Sequence, residues 1–438
     1  MAGGTFTTQN KVRPGAYINF VSEAKSLGTV GERGIATMPL TLSWGEPKQV
    51  ITIEAGEDTF AKLGYSLTES QMLLVREALK RAKTLLLYRL NTGTKAAATS
   101  GSLTLTAKWG GLRGNNIAVT IAANVDDAEL FDVTTRVSGS VVDVQAVANI
   151  AGLTANAWVV FSGTGNLAAA ASVPLTGGAD GSTVAQDYAD YLTAIEIHDF
   201  NTMALSSTDN TLKGTFVSFC NRLRNDEGKK IQVVVENYPT ADYEGVISVK
   251  NGVVLADGTT LTAAQCVAWV AGATSGAPMN LSLTYSAYDG AVDVAPRYTN
   301  TQIETALQAG EFLFTQKDGQ AVVEQDINSL TGFTPDKGKA FAKNRTLRVL
   351  DGINNDFVRI FSDFYVGKVN NNADGRNLLK NECINFLNTL QGINAIQNFD
   401  SQTDLVVSEG NDADSVYIET FVQPVDAIEK IYMKVTVK

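Results

Sequence analysis

The chain has one histidine, His198, in the stretch EIHDFNTMALSS, with Asp199 beside it and Ser206 and Ser207 shortly after. An imidazole, a carboxylate and a hydroxyl are the groups of a hydrolase relay, in which the imidazole takes the serine proton and the carboxylate orients the ring. That chemistry asks for a serine on a G-x-S-x-G turn in an α/β hydrolase, and the sequence contains none. The histidine falls at a helix-to-strand junction, and a structural role is the simpler reading. A zinc site is not expected either, because one histidine and no C-x-x-C pair fall short of the usual ligand set. The acidic run NVDDAELFD (124–132) lacks the spacing and glycine of a calcium loop and reads as a solvated turn. WGGLRGNN (109–116) is glycine-rich but precedes a strand, whereas a phosphate cradle opens a helix; a tight turn is expected. Cys220, Cys266 and Cys383 are odd in number and far apart, which fits reduced, buried thiols of a cytosolically made protein.

With no catalytic constellation in view, composition sets the next bounds. Of 438 residues, 44% are hydrophobic and 18% charged, and the net charge is −11. Such a chain has enough apolar surface for a large core, and its acidity argues against a nucleic-acid or acidic-membrane binder, both of which need a basic field. The opening MAGGTFTTQNKVRPGAY has no apolar run of the kind that leads a secreted chain. AAQCVAWVAGATSGA is too short for a membrane span and reads as a buried helix interrupted by Gly272 and Gly276.

The elements follow from periodicity. KVRPGAYINFVS reads as extended, and GTVGERGIATMPLTLSWGEP as strand, turn, strand. A helix is expected from Thr68 to Ala82, with Thr68 and Gln71 as a capping box, then a buried strand TLLLYRL (84–90). From Leu103 to about Thr176 short alternating segments separated by Gly, Asn and Asp predict a small all-β sandwich. From Thr183 helices and strands alternate, which predicts an α/β layer with a mainly parallel sheet. The tail reads as a helix at 375–392, strands DLVVSEG and SVYIETFVQPV, and a last strand. The expected divisions are 1–22, an N-terminal arm; 23–95, the first part of the core; 96–178, the inserted sandwich; 179–340, the α/β core; 341–423, a C-terminal α/β domain; and 424–438, a C-terminal arm.

Two features remain. PDKGKAFAKNRTLR (335–348) carries Lys337, Lys339, Lys343, Arg345 and Arg348 against one acid; it is either a solvated helix face or a dock for an acidic protein. The ending AIEKIYMKVTVK places Ile431, Met433, Val435 and Val437 on one side and Tyr432, Lys434, Thr436 and Lys438 on the other, the pattern of a half-buried strand. Burying the four apolar side chains is worth roughly 6–12 kcal/mol, while ordering eight residues costs about 8–16 kcal/mol. The near balance predicts a strand that is not stable alone. An edge without a local partner is a template for another chain. Pro424, which cannot donate a ladder bond, is the expected hinge.

Several stretches, taken in order, resemble the tail sheath proteins of contractile phage tails and phage-tail-like particles. They are RPGAYINF and VGERGIATMPLTLSWGEP near the start, AKWGGLRGNNIAVTI at the entry to the β region and LTGGADGSTVAQDYADYLTAIEIHDFNTMAL at its exit. EGVISVKNGVVLADGTTLTAAQCVAWVAGATSGAPMNLSLTY lies in the centre, and KNRTLRVLDGINNDF, YVGKVNNNADGRNLLKNE and VQPVDAIEKIYMKVTVK at the end. The resemblance implies an α/β core of subtilisin-like layout without catalytic residues, an inserted β-sandwich and extended terminal β arms. It implies six-membered rings of the chain stacked helically around a tail tube protein, with baseplate and tail terminator proteins at the ends. No cofactor, nucleic acid or membrane insertion is implied. The setting would be a virion tail or phage-tail-like particle assembled in the host bacterial cytoplasm. The arms would cross to neighbouring subunits through Pro14, Tyr17, Ile18, Phe20, Pro424, Ile431, Met433, Val435 and Val437. Lys343 and Arg345, or Arg376 and Lys380 on the helix at 375–392, would face the tube. An α/β hydrolase with an inserted β domain is the competing reading, and a surface adhesin a third. The absent triad weighs against the first, and the odd thiols against the second.

Overall fold

The structure, a computed structural model, describes residues 2–4, 15–17 and 30–437. The chain divides into two units, one of residues 32–355 and 424–438, the other of 356–423 with the chain up to Gly31.

The larger unit is built on a seven-stranded sheet. Its order is Glu311–Phe312, Val246–Val249, Gln232–Glu236, Thr202–Ala204, Ile35–Leu40, Thr84–Arg89 and Val50–Glu54. All neighbours are parallel except the last pair. The mainly parallel sheet expected from the helix–strand alternation is therefore present. Strand period two sends Leu85 and Leu87 to one face and Leu86 and Tyr88 to the other, and helices cover both, as parallel sheets require. The helices Leu73–Leu79 and Ala263–Gly276 pack on the first face, and Ala185–Glu196 and Asn210–Asn225 on the second.

Two helix expectations need correction. Thr68 and Gln71 do not form a capping box. A 3-10 turn, Ser70–Met72, leads into the helix Leu73–Leu79, and Glu69 accepts the Ser66 backbone N–H instead. Gly272 does not interrupt the apolar helix, which runs on to Gly276. A Cβ at Gly272 would lie 2.2 Å from the Ala78 carbonyl oxygen, and one at Gly276 would lie 2.1 Å from that of Arg81. These glycines let two helices approach backbone to backbone.

The residues between Arg89 and Ala185 form two antiparallel sheets. One has the order Ser140–Val147, Phe131–Val137, Ile117–Ala123, Ala170–Pro174, the other Val159–Ser162, Leu103–Ala107, Ala97–Ser100. Alternate side chains (Leu103, Leu105, Ala107; Ile117, Val119, Ile121) fill the space between them. This sandwich is less cleanly inserted than small-residue linkers suggest. Trp44, from the α/β part, is fully buried in its core and stacks on Trp158 with ring centroids 4.9 Å apart. Arg89, buried at the end of its strand, donates to the carbonyls of Gly45, Thr92 and Gly110. Burial lowers its pKa to about 10, so it stays charged at neutral pH.

In the smaller unit the helix Ala373–Gly392 carries the hairpin Leu405–Glu409/Val416–Thr420. Two three-residue strands, Ala2–Gly4 and Gly15–Tyr17, pair in parallel. A further helix that the sequence reading did not single out is Asn344–Phe364.

Candidate functional site

The residues with catalytic potential are not assembled. His198 is half-exposed on the turn after helix Ala185–Glu196. Its backbone N–H donates to the Ile195 carbonyl, and its own carbonyl accepts from Lys229. Among the described residues no hydrogen bond joins its imidazole to Ser206 or Ser207. Ser207 Oγ instead accepts the Asp209 N–H, and Asp199 is solvent-exposed, 3.5 Å from Lys229 Nζ. No group of three metal-ligating side chains occurs among the described residues. All three cysteines are buried, which pushes each thiol up to about 12 and leaves none poised as a nucleophile. At the glycine-rich turn, the Leu112 N–H that an anion would use is taken by Asp180 at 2.9 Å.

The basic run is largely spoken for inside the chain. Lys337 pairs with Glu244 and Lys343 with Glu429. Arg345 is buried, with the charge of Asp426 opposing part of the effect of burial on its guanidinium. Arg348 is buried and donates to Asp326 and the Leu281 carbonyl, each at 2.7 Å. Lys339 alone of the five is exposed. In the smaller unit Arg376 pairs with Glu409 at 2.7 Å, while Lys380 is half-exposed.

The terminal segments are the unusual surface. Residues 425–437 form no strand, contrary to the alternation. Among the described residues no ladder partner supplies the bonds to order them. Ile431, Met433, Val435 and Val437 are 83, 83, 72 and 90% exposed, an apolar row that a folded chain normally buries. Pro424 ends the short strand Gln423–Pro424 immediately before this segment. Of the N-terminal residues, Tyr17 ends the strand Gly15–Tyr17; Pro14, Ile18 and Phe20 lie outside the described residues. At the root of the N-terminal segment, Gly31 N–H donates to both oxygens of the buried Asp356 carboxylate at 2.9 Å. In the same unit, the hairpin Leu405–Glu409/Val416–Thr420 is a two-stranded sheet, with Val406, Tyr417 and Phe421 exposed. Among the described residues both of its edges are unpaired.

Sequence reasoning missed the polar grip on Glu429. Its carboxylate accepts from Thr284 Oγ1 at 2.8 Å, from Gln325 Nε2 at 2.6 Å and from Lys343. Burial raises its pKa, but these bonds outweigh that and hold the carboxyl below the usual range. Nothing local in the sequence joins Glu429 to Lys343, 86 residues earlier.

Four family models match the chain in series. They are described as tail sheath protein Gp18 domain III N-terminal region (residues 33–90), phage tail sheath protein beta-sandwich domain (91–180), phage tail sheath protein central domain (181–329) and phage tail sheath C-terminal domain (336–438). The chain is 42% identical over 466 aligned residues to the phage-like element PBSX protein XkdK of Bacillus subtilis (strain 168), covering 100% of both. It is 68% identical to the crystallised sheath tail protein of Desulfitobacterium hafniense, with a TM-score of 0.86 over 97% of this chain and 100% of that one. The helical sheath of the anti-feeding prophage, solved in its contracted state, shares the fold at 13% identity, with a TM-score of 0.58 over 98% of this chain and 100% of that one.

Proposed function

The chain belongs to the phage tail sheath family, and from that premise we propose that copies of it polymerise as six-membered rings, stacked helically around a tail tube, into a sheath whose contraction drives the tube through a target cell envelope. It is a structural subunit of a contractile, phage-like tail. The hydrolase reading has no support, since its three groups stand apart. Assembly takes place in the bacterial host's cytoplasm, with baseplate and terminator proteins closing the two ends of the tube.

The observation that carries the mechanism is the exposed alternating row at residues 431–437. A strand with no partner in its own chain is completed by a neighbour's sheet edge, which supplies both ladder bonds and apolar cover. The hairpin Leu405–Glu409/Val416–Thr420 is the acceptor we favour, because its two edges accommodate a C-terminal arm from one neighbour and an N-terminal arm, with Tyr17, Ile18 and Phe20, from another. Contacts of this head-to-tail kind do not close and build helical tubes. Extended arms keep them intact while subunits shift. For the tube, Lys380 on helix Ala373–Gly392 is better placed by charge than Arg376, which pairs with Glu409, Lys343, which pairs with Glu429, or the buried Arg345.

Negative-stain electron microscopy of the purified protein tests the reading. Rings or tubes are the expected result; uniform small particles at concentrations that favour assembly would overturn it.

A further inference from the structure

The C-terminal segment changes character within a few residues. Glu429 has a side chain 9% exposed, whereas Ile428 before it is 85% exposed and every residue from Lys430 to Val437 is exposed. Its carboxylate is filled from three sides by Lys343, Gln325 and Thr284. Three residues earlier Asp426 is exposed, and its charge favours the cationic form of the buried Arg345. Glu429 thus meets a cation of the run that otherwise reads as a surface patch. The groove beside Glu429, about 340 Å³, is lined by Glu304, Glu324, Leu307 and Tyr285 as well as Lys430. Lys343 is the cation that pairs with Glu429 itself. A half-buried, charge-assisted grip of this kind is stronger than an exposed ion pair.

We infer that Glu429 is a positioning residue for assembly. It latches the root of the C-terminal segment to Lys343, Gln325 and Thr284, so that the exchangeable arm begins at Lys430 rather than at Pro424. The inference rests on the arm-exchange reading above. Its consequence is reach. A fully extended chain spans at most about 3.3–3.6 Å per residue, so the nine residues 430–438 extend roughly 30–32 Å, whereas fourteen residues from Val425 would extend roughly 46–50 Å. The latch sets the shorter reach, and with it the spacing at which a neighbour's edge is found. It also passes any pull on the arm into the folded unit during contraction.

The test uses the full chain with Glu429→Gln, with Lys343→Glu, and with the exchanged pair Lys343→Glu plus Glu429→Lys. Amide hydrogen exchange over residues 426–430 of the unassembled subunit reports the latch, and the critical concentration for polymerisation reports assembly. Each single variant should speed exchange at 426–430 by about tenfold, the order expected for one lost charge-assisted bond, and raise the critical concentration. The exchanged pair should recover much of both. Unchanged exchange in both single variants would overturn the latch, and faster exchange with an unchanged critical concentration would overturn its role in assembly. Val435→Pro separates the two readings: it should block polymerisation while leaving exchange at 426–430 as in the parent chain. If Val435→Pro polymerises normally, arm exchange fails and the inference falls with it, whatever Glu429→Gln does.

Discussion

At the scale of single residues, the chain binds its terminal segments with buried carboxylates. Glu429 is the clearer case. Its pKa in the docked state lies below the ordinary 4.5, so its contribution is complete above that value and is lost as pH falls through the lower, docked-state value. Polymer or exchange protection followed by pH should therefore hold down to about 4.5 and drop below it, and Glu429→Gln should flatten that part of the profile. A profile unchanged by the substitution would contradict this. Asp356 plays the same part for the N-terminal segment, and Gly31 has no room beside it: an added Cβ would lie 2.3 Å from the carboxylate oxygen. Gly31→Ala should speed amide hydrogen exchange at residue 31 without changing the melting of the larger unit, and unchanged exchange there would contradict the role of Asp356. None of this was legible in the sequence. Lys343 and Arg345 read as a basic face because their partners lie some 80 residues away, and pairing over such a separation leaves no periodic mark.

At the scale of elements, what the sequence made plain was whatever alternation makes plain. The sandwich strands and the parallel sheet follow from period two and from helix–strand rhythm, because their buried positions are apolar. The helix Asn344–Phe364 was missed although its apolar stripe, Leu347, Leu350, Ile353, Phe357, Ile360 and Phe364, is present in the sequence. The basic run at its start drew a surface reading, whereas Arg348 pairs with Asp326 inside the fold, and Asp351 with Arg224 at 2.7 Å. Gly272 was misread in a related way, since a close helix crossing and a helix stop use the same residue. Gly272→Ala should destabilise the larger unit by about 1–3 kcal/mol through overpacking against Ala78, measured by urea unfolding. An unchanged midpoint would mean that the two helices can part without loss. The terminal strand is the instructive discrepancy: its pattern is that of a strand, but a strand needs a second chain segment to exist.

At the scale of the molecule, the sandwich and the α/β sheet share a core through Trp44 and a junction through Arg89. Excising residues 96–178 and joining the ends should leave a chain that still assembles, as expected if the polymer contacts lie elsewhere. Trp44 would lose Trp158, and the core should weaken by about 1.5–3 kcal/mol, the value of one large apolar side chain, with a red-shifted tryptophan emission. Loss of all polymer in a folded excision variant would count against placing the sandwich outside the assembly contacts. The central claim is that assembly resides in a C-terminal arm that the chain's own fold does not need. The most direct measurement is truncation after Glu429, where the latched root ends, followed by thermal melting and electron microscopy on the same preparation. The account predicts a soluble, folded monomer that melts within a few degrees of the full chain and forms no rings or tubes. A truncated chain that polymerises normally, or one that unfolds, would contradict it.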